Sequence, residues 1–268
     1  MTYAGFDRAD CPPLDMMARL KRETNLEWCG YYLSAPSQSG VTWRGKRATL
    51  EAQGWGFAPI FVGQQVTGPG SKNVTTTQGA ADGVRACADM KAEGFPAGSW
   101  VYLDLENGPP FTTAQRGYVG AWIDAVRAGG FKAGVYCSYL FAGEVAALRQ
   151  GVRLWVFHVQ TVSPHPVSGK AFPTPDMKAC GYPQASIWQR DDEARLWDFG
   201  QLACDLDVSI MRDPSAPDAV GVNVASATTP AASPVAPPLV ASPAPAKAAP
   251  PPASLWSRFW SAIFGPSN

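Results

Sequence analysis

The chain has 268 residues, of which 46% are hydrophobic and 16% charged, and its 22 basic side chains balance 22 acidic ones. This composition suits a globular protein with a sizeable core, in one large domain or two small ones. Zero net charge and the lack of Lys/Arg-rich runs argue against a nucleic-acid partner. The six cysteines are scattered without a CxxC pair and only two histidines occur, so we expect no metal and no cofactor.

Short apolar runs alternate with helical periodicity over the first 150 residues. The predicted elements are, in chain order, strand 5–7, helix 14–23, strand 28–33, helix 43–53, strand 57–63, helix 76–93, strand 100–106, helix 112–128, strand 132–138 and helix 139–149. This β/α alternation predicts a parallel sheet with right-handed crossovers.

The pattern changes after Gly151. Residues 154–160, 185–189 and 205–210 read as strands, but loops rich in Pro, Gly and charged residues connect them. Eight evenly spaced strands favour closure, so we predict a TIM-like β/α barrel with five β/α units followed by three strands with reduced helices. A doubly wound open sheet is the structural alternative.

The composition changes again beyond Asp213. Residues 214–253 are nearly all Pro, Ala, Ser and Val, which predicts an extended linker without a core. In residues 254–268, large apolar side chains fall on one helical face from Leu255 to Phe264. The predicted organisation is a barrel (1–213), a linker (214–253) and an amphipathic segment (254–268). Such a face predicts contact with a membrane interface or a protein partner, with packing on the barrel as the alternative.

Asp104 and Glu106 are the leading candidates for chemistry. They close the predicted fourth strand, and residues two apart on a strand point to the same face. The C-terminal end of a barrel strand is the catalytic end, and two carboxyl groups crowded there can divide into an acid and an anion, as glycosidases require. Asp7 and Asp205 lie at ends of the first and eighth strands, which adjoin in a closed barrel, so all four groups could converge. The alternative is an ion-paired or helix-capping aspartate beside an exposed glutamate.

A set of short motifs carries a family resemblance over about residues 3–212. Their order and spacing resemble the strand ends of the glycoside hydrolase family 25 lysozymes, and also the related glycoside-hydrolase-like domain DUF1906. The motifs are Gly5-Phe6-Asp7, Asp104-Leu105-Glu106, Gly134-Val135-Tyr136, Leu154-Trp155-Val156, Ile187-Trp188-Gln189 and Asp205-Leu206-Asp207-Val208. One departure is that Arg8-Ala9-Asp10 follows the first aspartate, where the lysozymes usually carry a serine.

The resemblance implies roles for seven residues. Glu106 would be the general acid, Asp104 would assist it, and Asp7 and Asp205 would line the floor and tune the pair. Tyr136 and Trp188 would flank the sugar, and Gln189 would supply a polar contact.

The implied function is hydrolysis of bacterial peptidoglycan glycan by a muramidase-type reaction. The alternatives are a glycan-binding barrel without activity and a barrel targeted by its C-terminal segment. The chain opens without a basic region and an apolar stretch, so no secretory signal is predicted. We therefore expect synthesis in the cytoplasm and action at the cell wall or periplasm after release or injection.

Overall fold

The computed structural model describes residues 1–33, 41–67, 72–161 and 163–217. The strands are Tyr3–Asp7 (β1), Leu26–Tyr32 (β2), Gly56–Val62 (β3), Trp100–Asp104 (β4), Lys132–Ser138 (β5), Arg153–Phe157 (β6), His165–Val167 (β7), Ile187–Leu196 (β8) and Leu202–Ser209 (β9). The helices are Leu14–Glu23 (α1), Arg47–Ala52 (α2), Thr76–Ala92 (α3), Thr113–Ala128 (α4) and Ala142–Leu148 (α5). The amphipathic segment predicted from Leu255 to Phe264, and the linker beyond residue 217, lie outside the described residues.

Eight of these strands close into a barrel, which confirms the predicted fold. β1 to β6 pair in chain order and in parallel, and β6 then pairs in parallel with β8. The helices α1 to α5 follow β1 to β5, so the five β/α units and the helix-poor last third are as predicted.

The barrel is closed by a strand that runs in the opposite direction. β9 is antiparallel to both β8 and β1, and it places Asp205 directly opposite Asp7. The end of the barrel where the parallel strands terminate, its mouth, therefore also carries the N-terminal half of β9. Asp205 reaches the mouth from within this strand.

Aromatic side chains fill the barrel below its mouth. The ring of Trp155 on β6 packs edge-on against Trp28, Tyr102 and Tyr136, with centroids 5.5–5.9 Å apart. Gly5 leaves room for the indole of Trp28, because a Cβ at that position would lie 2.1 Å from the ring. The interior is thus packed, which confines any site to the mouth.

The chain leaves the barrel at the end opposite the mouth. The backbone N–H of Trp100, the first residue of β4, donates to the Ser215 carbonyl at 2.9 Å. The Tyr102 hydroxyl donates to the Pro214 carbonyl at 3.0 Å, and the Phe57 N–H donates to the Asp213 carboxylate at 3.0 Å. Residues just beyond the predicted boundary at 213 are therefore held by the starts of β3 and β4.

Several elements differ in extent from their predictions. α2 begins at Arg47 because a turn over residues 42–45 precedes it, and the helix expected from residue 139 begins at Ala142 after a 3-10 turn. β4 ends at Asp104, two residues short of Glu106. β8 continues to Leu196 and is joined there by the unpredicted β7, an edge strand whose proline weakens its sequence signal. Within the described residues, no helix is both long and apolar enough to cross a bilayer.

Candidate active site

A narrow cleft opens at the C-terminal ends of the barrel strands. Its free volume of about 10 Å³ is near the minimum that holds one water molecule. It is lined by Asp7, Tyr32, Ile60, Asp104, Glu106, Tyr136, Trp155 and Asp205. The four carboxylates predicted from the sequence thus meet in one place.

Asp7 ends β1 and is almost fully buried. The Tyr32 hydroxyl donates to its Oδ1 at 2.5 Å. Burial raises the pKa of Asp7 to about 6, although the bond from Tyr32 opposes this rise. Gly30 on β2 makes the position possible, since a Cβ there would lie 2.5 Å from the Cβ of Asp7.

Asp104 ends β4 and Glu106 follows it by two residues, and both carboxyl groups line the cleft. Asp104 is buried, and its pKa is raised well above the usual range by burial first, then by the charges of Glu106 and Asp7. Glu106 lies beyond the last strand residue and is partly exposed. Two carboxyl groups crowded into one cleft share a proton, so the pair supplies both an acid and an anion.

Asp205 is held by a chain of polar side chains across the mouth. The Tyr136 hydroxyl donates to Gln189 Oε1, and Gln189 Nε2 donates to Asp205 Oδ2 at 2.5 Å. The Glu193 backbone N–H donates to the other oxygen of Asp205 at 2.9 Å. Burial and neighbouring acids raise the pKa values of both Asp205 and Tyr136 well above their usual ranges, so Tyr136 remains a hydroxyl donor.

Trp188 occupies a different place from the one expected for a residue that flanks the sugar. It is fully buried, its indole N–H donates to the His158 carbonyl at 3.0 Å, and it does not line the cleft. The reason is strand alternation: Gln189 points to the barrel interior, so its neighbour Trp188 points to the outer layer. Gln189 likewise contacts the cleft through Tyr136 and Asp205 and is not itself among the lining residues.

Other residues of the site were missed in the sequence. Asp207 shares a strand face with Asp205 at spacing two, a signal that could have identified it, whereas no predicted site residue lies two positions from Tyr32 or Trp155. Gln65 follows β3 and binds the backbone of residues 104 and 106. No pattern in the sequence predicted this contact. Within the described ranges, no cluster of His, Cys, Asp and Glu side chains is arranged to hold a metal ion.

Comparison with known proteins adds three solved structures of the same fold. The Tat-secreted protein Rv2525c of Mycobacterium tuberculosis, in complex with HEPES, is 13% identical over 81% of this chain and 97% of its own, with a TM-score of 0.54. GHIP, a glycosyl hydrolase 25 virulence factor of Streptococcus pneumoniae participating in host cell invasion, is 13% identical over 77% and 86%, with a TM-score of 0.53. The modular autolysin LytC of the same organism, solved with a synthetic peptidoglycan ligand, is 10% identical over 77% and 46%, with a TM-score of 0.51.

At these identities the solved structures establish the fold alone. No curated protein matches the chain. The sequence profile of one family matches residues 18–204, which is well over half of the chain and includes most of the barrel. The resemblance noted in the sequence is therefore confirmed, and the chain belongs to the Rv2525c-like, glycoside hydrolase-like domain family.

Proposed function

We propose that this protein hydrolyses the glycan strands of bacterial peptidoglycan by a muramidase-type reaction. The observation that carries the proposal is the unequal exposure of the cleft carboxyls. Asp7, Asp104 and Asp205 are buried, whereas Glu106 is partly exposed. Glu106 is thus the carboxyl group that a glycosidic oxygen can reach, and it shares the cleft with the buried carboxyl group of Asp104.

The residues of the cleft fit the requirements of glycoside hydrolysis. Glu106 donates the proton held by the Asp104–Glu106 pair to the leaving oxygen, and the pair then carries the full negative charge of two carboxylates. That charge, with Asp7 nearby, stabilises the oxocarbenium-like transition state; a water molecule then adds to the anomeric carbon and gives its proton to the pair, which completes the hydrolysis. Tyr136 contacts the sugar from the cleft wall, oriented by Gln189.

The test is release of reducing ends from purified peptidoglycan by the full-length protein and by Glu106→Gln. The substitution keeps the shape of the side chain and removes its proton transfer, so we expect a rate loss of about 10²–10⁴-fold. Glu144→Gln is the matched control, because Glu144 is an exposed glutamate on α5 whose ion pair with Arg116 contributes little. A folded Glu106→Gln protein that hydrolyses at the wild-type rate would show that Glu106 is not the acid.

A second candidate function is glycan binding without hydrolysis. The family description, glycoside hydrolase-like, is compatible with a barrel that holds glycan without cleaving it. Co-sedimentation with insoluble peptidoglycan distinguishes the two functions. Binding by both wild type and Glu106→Gln, with no reducing ends released by either, would select the binding role.

The proposed site of action is the cell wall or periplasm, in keeping with a relative that is Tat-secreted. The segment 254–268 remains a proposed targeting element for a membrane interface or a protein partner. Full-length protein and a Trp256→Ser/Trp260→Ser variant should differ in liposome co-sedimentation or in partner capture. Equal behaviour in both assays would reject a targeting role.

A further inference from the structure

A second cavity lies outside the cleft, on the part of the sheet where β7 joins β8 and β9. Its free volume is about 210 Å³, against about 10 Å³ for the cleft. Since one water molecule needs about 10–15 Å³, the second cavity has room for a group as large as a sugar ring. Its lining residues are Pro164, His165, Pro166, Arg195, Trp197 and Gln201, none of which lines the cleft.

Strand alternation brings an aromatic ring and a cation to the same side of this sheet. Arg195 on β8 pairs with Pro166 on β7, and paired residues of neighbouring strands share a face. Trp197 follows Arg195 by two residues and lines the same cavity. Leu196, which lies between them, is 1% exposed and packs in the core. The guanidinium and the indole therefore face the cavity together.

Trp197 offers an open aromatic surface on a firmly held loop. It is 59% exposed, whereas every other tryptophan of the described residues is buried. The loop is anchored below it, because the Arg19 guanidinium lies 4.8 Å from the centre of the buried Phe199 ring and donates to the Asp198 carbonyl at 3.0 Å. The Gly169 N–H donates to the Asp198 carboxylate at 2.6 Å. A ring held in place before binding loses little conformational entropy when a ligand stacks on it.

Arg195 supplies a positive charge to the same cavity. It is partly buried and forms no ion pair with any residue of the described ranges, whereas Arg190 on the same strand pairs with Asp191. The side-chain amide of Gln201 lies on the cavity wall as a further hydrogen-bonding group. A guanidinium is the side-chain group best shaped to bind a carboxylate, because it offers two parallel N–H donors.

We propose that the second cavity is a glycan-binding site for an acidic sugar unit, whose ring stacks on Trp197 and whose carboxylate pairs with Arg195. An indole presents a flat apolar face that matches the C–H face of a pyranose ring. Peptidoglycan carries both groups, since its sugar rings bear lactyl ethers and peptides that end in carboxylates. The choice of this polymer rests on the proposed function.

The second cavity is close enough to the mouth for one polymer to contact both. Gln189, which binds Asp205 at the mouth, precedes Arg195 by six residues on β8, so their Cα atoms are at most about 22 Å apart. A glycan strand of several sugars spans such a distance. Binding at the second cavity then raises the concentration of glycan at the cleft, and the effect is greater for the polymer than for single sugars.

The first test measures the binding of single sugars by the full-length protein. The indole N–H signal of Trp197 in NMR spectra should shift on titration with N-acetylmuramic acid, and far less with its methyl ester, which lacks the negative charge. Arg195→Gln should weaken binding of the acid about 10-fold. Arg22→Gln is the control, because Arg22 is a 68% exposed arginine on α1. Equal binding of acid and ester, or no shift at Trp197 with the acid, would overturn the proposal.

The second test measures co-sedimentation with insoluble peptidoglycan, in a Glu106→Gln background that leaves the polymer intact. Adding Trp197→Ala should weaken binding about 10-fold, because aromatic anchors contribute most of the energy of a binding surface. Ile210→Ala is the control, since Ile210 is a 49% exposed apolar residue just beyond β9. Equal binding by the two double variants would overturn the proposal. If the wild-type protein releases no reducing ends, the proposed hydrolysis fails, and both binding tests still decide whether the second cavity holds glycan.

Discussion

Gln65 binds the backbone of Glu106: its side-chain Oε1 accepts the Glu106 N–H at 3.1 Å. The Nε2 of the same amide donates to the Asp104 carbonyl at 3.0 Å. β3 and β4 pair only as far as Val62 and Asp104, so this side chain replaces the ladder bonds that end there. The position of the proposed acid therefore depends on a residue from the neighbouring β/α loop.

We expect Gln65→Glu to lower kcat about 10-fold with a smaller change in KM, because small misplacements of a reacting group are costly. A carboxylate cannot donate to the Asp104 carbonyl, so one of the two hydrogen bonds from residue 65 to the backbone of residues 104 and 106 is lost. The Glu106 N–H keeps an acceptor in Gln65→Glu but loses it in Gln65→Leu, so the Glu106 amide hydrogen should exchange faster with solvent, as measured by NMR, only in Gln65→Leu. Gln53→Ala is the control, since Gln53 donates to the Leu14 carbonyl at 3.1 Å in the helical layer. Unchanged exchange at Glu106 in Gln65→Leu would contradict this role.

The hydrogen bonds that link the side chains of Tyr136, Gln189 and Asp205 should stabilise the fold as well as the site. Gln189→Leu leaves a buried hydroxyl and a buried carboxyl oxygen without partners, which costs about 1–3 kcal/mol of unfolding free energy for each lost partner. Urea denaturation measures this loss. Gln160→Leu removes an exposed glutamine and should change stability by less than about 0.5 kcal/mol. Equal stability of the two variants would mean that these hydrogen bonds contribute nothing to the free energy of unfolding.

Acidification should stabilise the protein between neutral pH and about pH 4.5. The pKa of Asp7 is about 6 in the folded protein and 3.8 ordinarily, so between these values the folded state binds the extra proton and gains stability as pH falls. At about 1.4 kcal/mol for each unit of pKa difference, the gain from pH 7 to pH 4.5 is about 2 kcal/mol. Glu23, with a pKa lowered to about 2, loses its stabilising effect only as pH falls below its ordinary value of 4.5.

Urea denaturation at both pH values tests this sign, and Asp7→Asn should remove the share that Asp7 contributes, while Asp104 and Asp205, whose pKa values are also raised, act in the same direction. Wild-type protein that is less stable at pH 4.5 than at pH 7 would refute the prediction.

Gly30→Ala should displace Asp7. The new Cβ would lie 2.5 Å from the Asp7 Cβ and 2.9 Å from Ile60 Cδ1, and overpacking of this kind costs about 1–3 kcal/mol. We expect lower thermal stability and weaker hydrolysis together. Gly143→Ala on α5 provides the control, because its Cβ would meet its nearest neighbour at an ordinary 3.6 Å. A Gly30→Ala protein as stable as Gly143→Ala would show that Asp7 has room to move.

The barrel and its four converging carboxylates could be predicted because they depend on local patterns. β/α alternation determines the parallel strands, and the Asp104-x-Glu106 spacing brings two acids to one face. The antiparallel direction of β9 could not be predicted from such patterns. A short loop allows the next strand to run in either direction, and only closure of the barrel selects one of them. Trp188 was misplaced for a related reason: which face of β8 points inward depends on its register with β6 and β9.

The residues that hold the acids were harder to predict than the acids themselves. Gln65 acts through its amide on the backbone of another strand, a contact between residues about 40 positions apart that has no local signature. Asp207 was visible as part of a motif, but its place opposite Gly5 follows only from the antiparallel pairing of β9 with β1. Long-range register, rather than composition, decides such partners.

The exit of the chain beneath β3 and β4 has an evolutionary consequence. Residues 213–215 are bound at the closed end of the barrel, so sequence added after them starts on the side away from the cleft. Selection can therefore lengthen, shorten or exchange whatever follows without rebuilding the mouth. The C-terminal junction of the barrel is therefore the position at which recombination can join a different segment without altering the residues of the cleft.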